Sequence, residues 1–164
     1  SVNVGVILYF ARKYDQAIRE LNKSIELFPE HAANYGLIGA VYTLTGRYEK
    51  AINAFNHALE LDPISGGAKK AFAAYCFARS GNRVEARKRL EGMIKDANKG
   101  FASSVDIAMI YVGFGDKERA FIWLDKAFSE NDAGLIYLKV DPAFDPLRSD
   151  LRFKDLLRRI GLEK

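Results

Sequence analysis

Cysteine occurs once in the 164 residues, at Cys76, so no internal disulfide framework is available. That scarcity fits a reducing compartment, and a cytoplasmic location is the expectation. Long apolar runs are also missing. The opening VNVGVILYFA covers ten residues without a basic leader, far short of the roughly 20 that a bilayer crossing needs. It reads as a buried helix, and no membrane association is expected. The abrupt start at Ser1 reads as the start of a fragment of something longer.

Histidine is scarce too. His31 and His57 are the only two, and neither has a Cys or His partner at metal-ligand spacing. The stretch ISGGAKK has glycines and lysines but lacks the spacing of a phosphate-binding loop and a strand before it. Cys76, between Tyr75 and Phe77, reads as a small buried apolar residue. With no converging catalytic set, the expectation is a protein that is not an enzyme and needs neither cofactor nor metal.

Charge of one sign is in modest excess, +4, where nucleic-acid binders concentrate far more on one face. The densest basic stretch holds Arg83, Arg87, Lys88, Arg89 and Lys95, diluted by Glu85 and Glu91. It lacks a set of stacking aromatics and reads as a solvated outer face, so no nucleic acid is expected. Apolar residues at 49% and charged ones at 28% are the balance of a globular chain.

What the chain does have is a repeat. Tyr42, Gly46, Ala51 and Phe55 recur as Phe77, Gly81, Ala86 and Leu90, and again as Tyr111, Gly115, Ala120 and Leu124. An earlier copy is in phase: Gly5, Leu8, Ala17 and Leu21 stand 34 residues before Gly39, Tyr42, Ala51 and Phe55. Four units fill residues 1–132, with boundaries near 1–31, 32–65, 66–100 and 101–132. The one extra residue between the second and third units falls in DPISGGAK, where Gly66 and Gly67 absorb it in a turn. Small residues at Gly39 and Ala51 let two antiparallel helices approach. Gly46 ends the first of them in a left-handed turn, and Pro63 stops the second. Each helix pair has too little apolar surface to stand alone and must stack on the next.

The spacing Tyr35-x2-Ile38-Gly39-x2-Tyr42, then Ala51-x3-Phe55, then Ala58 and Pro63, resembles the tetratricopeptide repeat. The resemblance implies an all-α, right-handed solenoid of helix pairs in which the first helix of each pair lines a concave groove. It places Val6, Tyr9 and Phe10 in that groove, with Ala40, Thr43 and Leu44 from the second repeat. The third repeat supplies Ala71, Tyr75 and Arg79, and the fourth Val105, Met109 and Val112. This lining is apolar and aromatic, and Arg79 is its one cation. It suits the nonpolar face of a partner helix or an extended apolar peptide rather than an acidic one. The alternative, that several of these residues pack between neighbouring helices and touch no partner, stays open at this point.

Residues 133–164 depart from the repeat. Phe153, Leu156, Leu157 and Ile160 make one face of an amphipathic helix. Asp150 is a plausible N-cap for it, Asp145-Pro146 resembles a helix start, and Gly161 is a stop signal. The expected role is a helical cap on the apolar end left by Phe121, Leu124 and Phe128. Roughly residues 113–162, GDKERAFIWLDKAF and then LKVDPAFDPLRSDLRFKDLLRRIGL, are also similar to the C-terminal end of repeat regions in bacterial multidomain proteins that carry a cyclase, kinase or winged-helix domain. That resemblance implies a bacterial origin. The expected function is a non-catalytic module for a protein or peptide partner. The alternatives are self-association through the uncapped first repeat, giving a homo-oligomer, or a regulatory region of a fused cyclase, kinase or transcriptional regulator.

Overall fold

Regular alternation of apolar helical stripes with Gly and Pro breaks produces helices throughout. The computed structural model describes residues 2–64 and 67–162. In order these hold α1 (Val2–Phe10), α2 (Tyr14–Leu27), α3 (Ala32–Leu44), α4 (Tyr48–Leu61), α5 (Gly67–Arg79), α6 (Arg83–Ala97), α7 (Ser104–Phe114) and α8 (Lys117–Ser129). Two 3-10 helices, Ala133–Tyr137 and Pro142–Leu147, lead to α9 (Leu151–Arg159). Among the described residues there is no strand. Helices pack in consecutive pairs, and α1, α3, α5 and α7 also pack side by side. The chain is a solenoid of paired helices.

A left-handed residue follows the first helix of each pair, at Arg12, Gly46, Gly81 and Gly115. After α3 and α7, Gly46 and Gly115 take left-handed angles (φ +74 and +76). The next N–H then bonds back five residues, Arg47 to Tyr42 and Asp116 to Tyr111. In the first pair that bond also forms, from Lys13 N–H to the Leu8 carbonyl. There the left-handed residue is Arg12, at φ +58, a conformation that is uncommon for a residue with a side chain.

Some expected breaks shift. The turn assigned to Gly66 and Gly67 lies partly outside the described residues, which omit Ser65 and Gly66, and Gly67 is already the first residue of α5. In the C-terminal segment the helix start falls at Asp141-Pro142, not at Asp145-Pro146. The Asp141 carboxylate caps the second 3-10 helix by accepting from Ala143 N–H at 2.9 Å. Pro146 sits inside that helix, and Asp145 is left free to make ion pairs. Asp150 caps α9, accepting from Arg152 N–H at 2.9 Å, and Gly161 follows it at φ +77.

Close approach between helices rests on missing side chains. A Cβ at Gly39 would lie 2.8 Å from the Phe55 ring. At Gly113 it would lie 2.8 Å from the Tyr75 ring and 3.1 Å from the Tyr75 carbonyl oxygen, which cannot rotate aside. Gly113→Ala is therefore expected to lower stability by about 1–3 kcal/mol through overpacking. Gly92, inside α6 with nothing near its Cβ position, is the contrast: Gly92→Ala is expected to raise stability by about 1 kcal/mol. Urea unfolding of the two variants checks both signs.

Candidate functional site

The inner faces of α1, α3, α5 and α7 line a cavity of about 800 Å³. Its apolar wall is built from Val6 and Phe10 of α1, Leu37 and Ala40 of α3, Phe72 of α5, and Met109 of α7. The remaining wall is the C-terminal segment, through Tyr137, Leu138, Asp141 and Phe144. The last helix, α9, lies against α8: Arg152 is 4.2 Å over the Phe121 ring and Arg159 is 4.4 Å over Phe128. Ion pairs from Arg152 to Glu118 and from Arg159 to Asp125, each 2.8 Å, add to this contact. Before reaching that helix, however, the segment crosses the concave side from α7 to α1.

Three contacts fasten the crossing to α1 and the turn after it. The Tyr9 hydroxyl donates to Asp141 Oδ1 at 2.7 Å. Arg12 grips Asp145 with two bonds, Nε to Oδ2 at 3.0 Å and Nη2 to Oδ1 at 2.6 Å. The Phe10 and Tyr137 rings stack, with centroids 5.7 Å apart and planes 10° from parallel. Arg148 stiffens the strap from within, donating to the carbonyls of Lys139 and Asp141 and pairing with Asp145.

This route decides what becomes of the expected groove residues. Val6, Tyr9, Phe10, Ala40, Val105 and Met109 line the chamber together. Ala71, Tyr75 and Val112 do not; they share one buried core with Leu138, Phe144 and Leu147 of the strap, and Leu44 packs against it. Thr43 is fully buried, and its hydroxyl donates to the Gly39 carbonyl in its own helix at 2.9 Å. Arg79 is exposed and donates to the Tyr75 hydroxyl at 3.0 Å. On α5 the chamber is served one turn earlier, by Ala68, Lys69 and Phe72. Position matching missed those three, and equally Leu37, Asp106 and the strap residues. The Arg12 in the place of the repeat's glycine was a readable sign of a special contact.

The charged groups of the chamber are mostly acidic. Lys69 lines it but is paired with Asp62 at 2.8 Å. Asp132 accepts from Ser103 Oγ at 2.8 Å and from Gly134 N–H at 2.9 Å. Burial pushes Asp141 up, against the hydrogen bonds from Ala143 and Tyr9. The same burial, together with the Asp141 charge, holds the Tyr9 hydroxyl well above its ordinary range. Asp145 goes the other way: burial would raise it, but bonds from Arg12 and Arg148 outweigh that. Asp106, in the first turn of α7, is pushed up to about 6 by burial and by its neighbours Asp132 and Asp141. No hydrogen bond or ion pair within the described residues reaches its carboxylate.

Other polar features are structural. Cys76 is buried, and burial raises its thiol. His57 sits edge-on to Tyr35, with ring centroids 4.4 Å apart. In the basic stretch, Arg83 and Arg89 lie over the Phe114 and Phe77 rings at 5.0 and 4.8 Å. Among the described residues no group of three His, Cys, Asp or Glu side chains is arranged to hold a metal ion. No described helix is long and apolar enough to cross a membrane.

Residues 1–63 match the family model of the tetratricopeptide repeat. A stretch of 59 residues is 32% identical to the Cell division cycle protein 16 homologs of Homo sapiens and Mus musculus. The match covers 36% of this chain and a tenth of the length of those relatives. With the paired helices described above, the chain is a repeat protein of tetratricopeptide type, a class of characteristically non-catalytic modules with a general role in protein–protein interaction.

The strap gives two contrasting expectations. Tyr9→Phe leaves the buried Asp141 short of a donor and should cost about 1–3 kcal/mol. Arg12→Gly removes a half-exposed ion pair but also relieves the left-handed backbone, so its net cost should stay below about 1 kcal/mol. Urea unfolding measures both, and an Arg12→Gly loss as large as that of Tyr9→Phe would contradict this weighting.

Proposed function

Because the chain is a repeat protein of tetratricopeptide type, we propose that it is an interaction module that holds a segment of a partner protein in the strapped chamber. The observation that carries this reading is the chamber itself: about 800 Å³ of largely apolar space that the protein's own side chains leave unfilled. Pockets of this size and lining are the usual form of binding sites. The volume suits a short run of side chains in extended form better than a whole helix, whose diameter with side chains is about 10–12 Å. Similarity of the C-terminal stretch to repeat regions of bacterial multidomain proteins supports a setting in a larger protein. In that setting an occupied chamber would report to a neighbouring cyclase, kinase or transcriptional-regulator domain.

Ala33 and Ala68 stand exposed where α3 and α5 meet the chamber. Ala33→Trp and Ala68→Trp are expected to narrow it without touching the core. Each should reduce recovery of a crosslinked partner at least about tenfold, the equivalent of about 1.4 kcal/mol, with an unchanged melting curve. Full recovery by both variants would move the partner site off the concave side.

A second reading has its own observation. Ile7 and Val4 on α1 are 66% and 42% exposed, and Leu27 and Phe28 at the end of α2 are 73% and 54% exposed. Exposed apolar residues on the first helix pair, at one end of the array, support self-association there. Ile7→Glu should abolish any rise of mass with concentration in light scattering, and a wild-type protein that stays monomeric throughout would eliminate this reading.

A further inference from the structure

On the premise that the chamber is the partner site, we infer that its occupant brings a single lysine or arginine among large apolar side chains, and that this cation meets Asp106. The argument is one of charge complementarity inside an apolar space. Four carboxylates line the chamber, those of Asp62, Asp106, Asp132 and Asp141, against one ammonium, Lys69, that Asp62 already engages. Asp132 and Asp141 are satisfied by Ser103, Gly134, Tyr9 and Ala143. Asp106 has no such bond.

A carboxylate facing apolar walls is costly unless a partner meets it. Its two anionic neighbours make the site worse for an anion and better for a cation. Both neighbours are held in place by structural bonds, so neither can turn away to relieve the repulsion. An acidic segment would add a further negative charge to this set. A purely apolar segment would bury Asp106 without a counter-charge. A basic side chain reaching between Met109 and the strap satisfies it, while flanking apolar side chains cover Phe10, Leu37 and Phe72.

The preference should depend on pH. Asp106 is anionic above about 6 and neutral below, so attraction for a cation is present at neutral pH and fades as pH falls through that value. The ionisable groups facing it across the chamber are Asp62, Lys69, Asp132, Asp141, His31, Tyr9 and Tyr137. Of these, burial also raises Asp141, whose carboxylate is engaged by Tyr9 and Ala143. His31 makes no side-chain cap bond and is exposed, so His31→Gln takes the lining's imidazole out of the comparison.

The test is selection of a phage-displayed random dodecapeptide library on the intact chain. Wild-type protein at neutral pH should enrich peptides with one lysine or arginine flanked by apolar residues. Those peptides should bind Asp106→Asn about tenfold more weakly or worse, the loss typical of a charged hydrogen-bonded partner. Asp106→Asn is isosteric and removes an unpaired charge, so it should fold; its melting curve checks this. Independently, the His31→Gln protein should lose its preference for basic over norleucine-substituted peptides between neutral pH and about pH 5. Peptides that Ala33→Trp blocks but that show no basic preference, or bind Asp106→Asn equally well, would overturn this inference and leave the chamber as the partner site. Peptides indifferent to Ala33→Trp, or no enrichment at all, would overturn the partner site and this inference with it.

Discussion

A stack of helix pairs has no internal reason to bring its first helix and its last residues together, because each pair touches only its neighbours. Here the hydrogen bond from Tyr9 to Asp141 and the paired bonds from Arg12 to Asp145 do so across more than 130 residues of chain. The rest of the concave surface depends on that contact. It places Leu138 and Phe144 over the third and fourth repeats, which buries Tyr75 and Val112. It also turns an open groove into a chamber with a defined volume and brings Asp141 beside Asp106. Without the strap, the same helices would present a longer, shallower and less acidic face.

The contact draws on several weak terms. The Arg12 pair is roughly two-fifths exposed on each side, and a surface ion pair is worth only about 0–1 kcal/mol. Tyr9 and Asp141 are more buried, and there the penalty for an unmade bond exceeds the gain from a made one. Much of the holding therefore comes from the apolar side chains that the strap lays down, with the polar bonds setting its register. Arg148 contributes to that register by donating to the Lys139 and Asp141 carbonyls in the link between the two 3-10 helices.

The solenoid was legible from spacing alone, because Tyr42, Gly46, Ala51 and Phe55 each answer a local demand that recurs with every pair. The site was legible only where it obeyed the same period. Val6, Tyr9, Phe10, Ala40, Val105 and Met109 line the chamber, whereas Tyr75 and Val112, at equivalent positions, are covered. Nothing in the repeat announces the covering, since the strap is not a repeat and its contacts are long-range. Asp106 was equally invisible: its character comes from Asp132 and Asp141, which a helical pattern cannot place beside it. The tail arginines Arg152, Arg159 and Arg148 are clamps over Phe121, Phe128 and Phe153, contacts that no helical period announces. Arg12 is the one local clue, a side chain at a position where the other repeats keep glycine.

The strap also changes the statistics of unfolding. In a linear array each unit gains its stability from the next, so the outermost units fray first and the loss runs inward. Tying α1 to residues 137–145 removes that hierarchy. Fraying of the first pair would expose the core that the strap covers, and loosening the strap would release the first pair. Ends that behave independently in an ordinary array are thus coupled into one cooperative unit. Its contacts, the most distant in sequence, are also the ones that chain entropy makes slowest to form. The last bonds made in folding and the bonds that close the chamber are then the same bonds, so opening the chamber retraces the final step of folding.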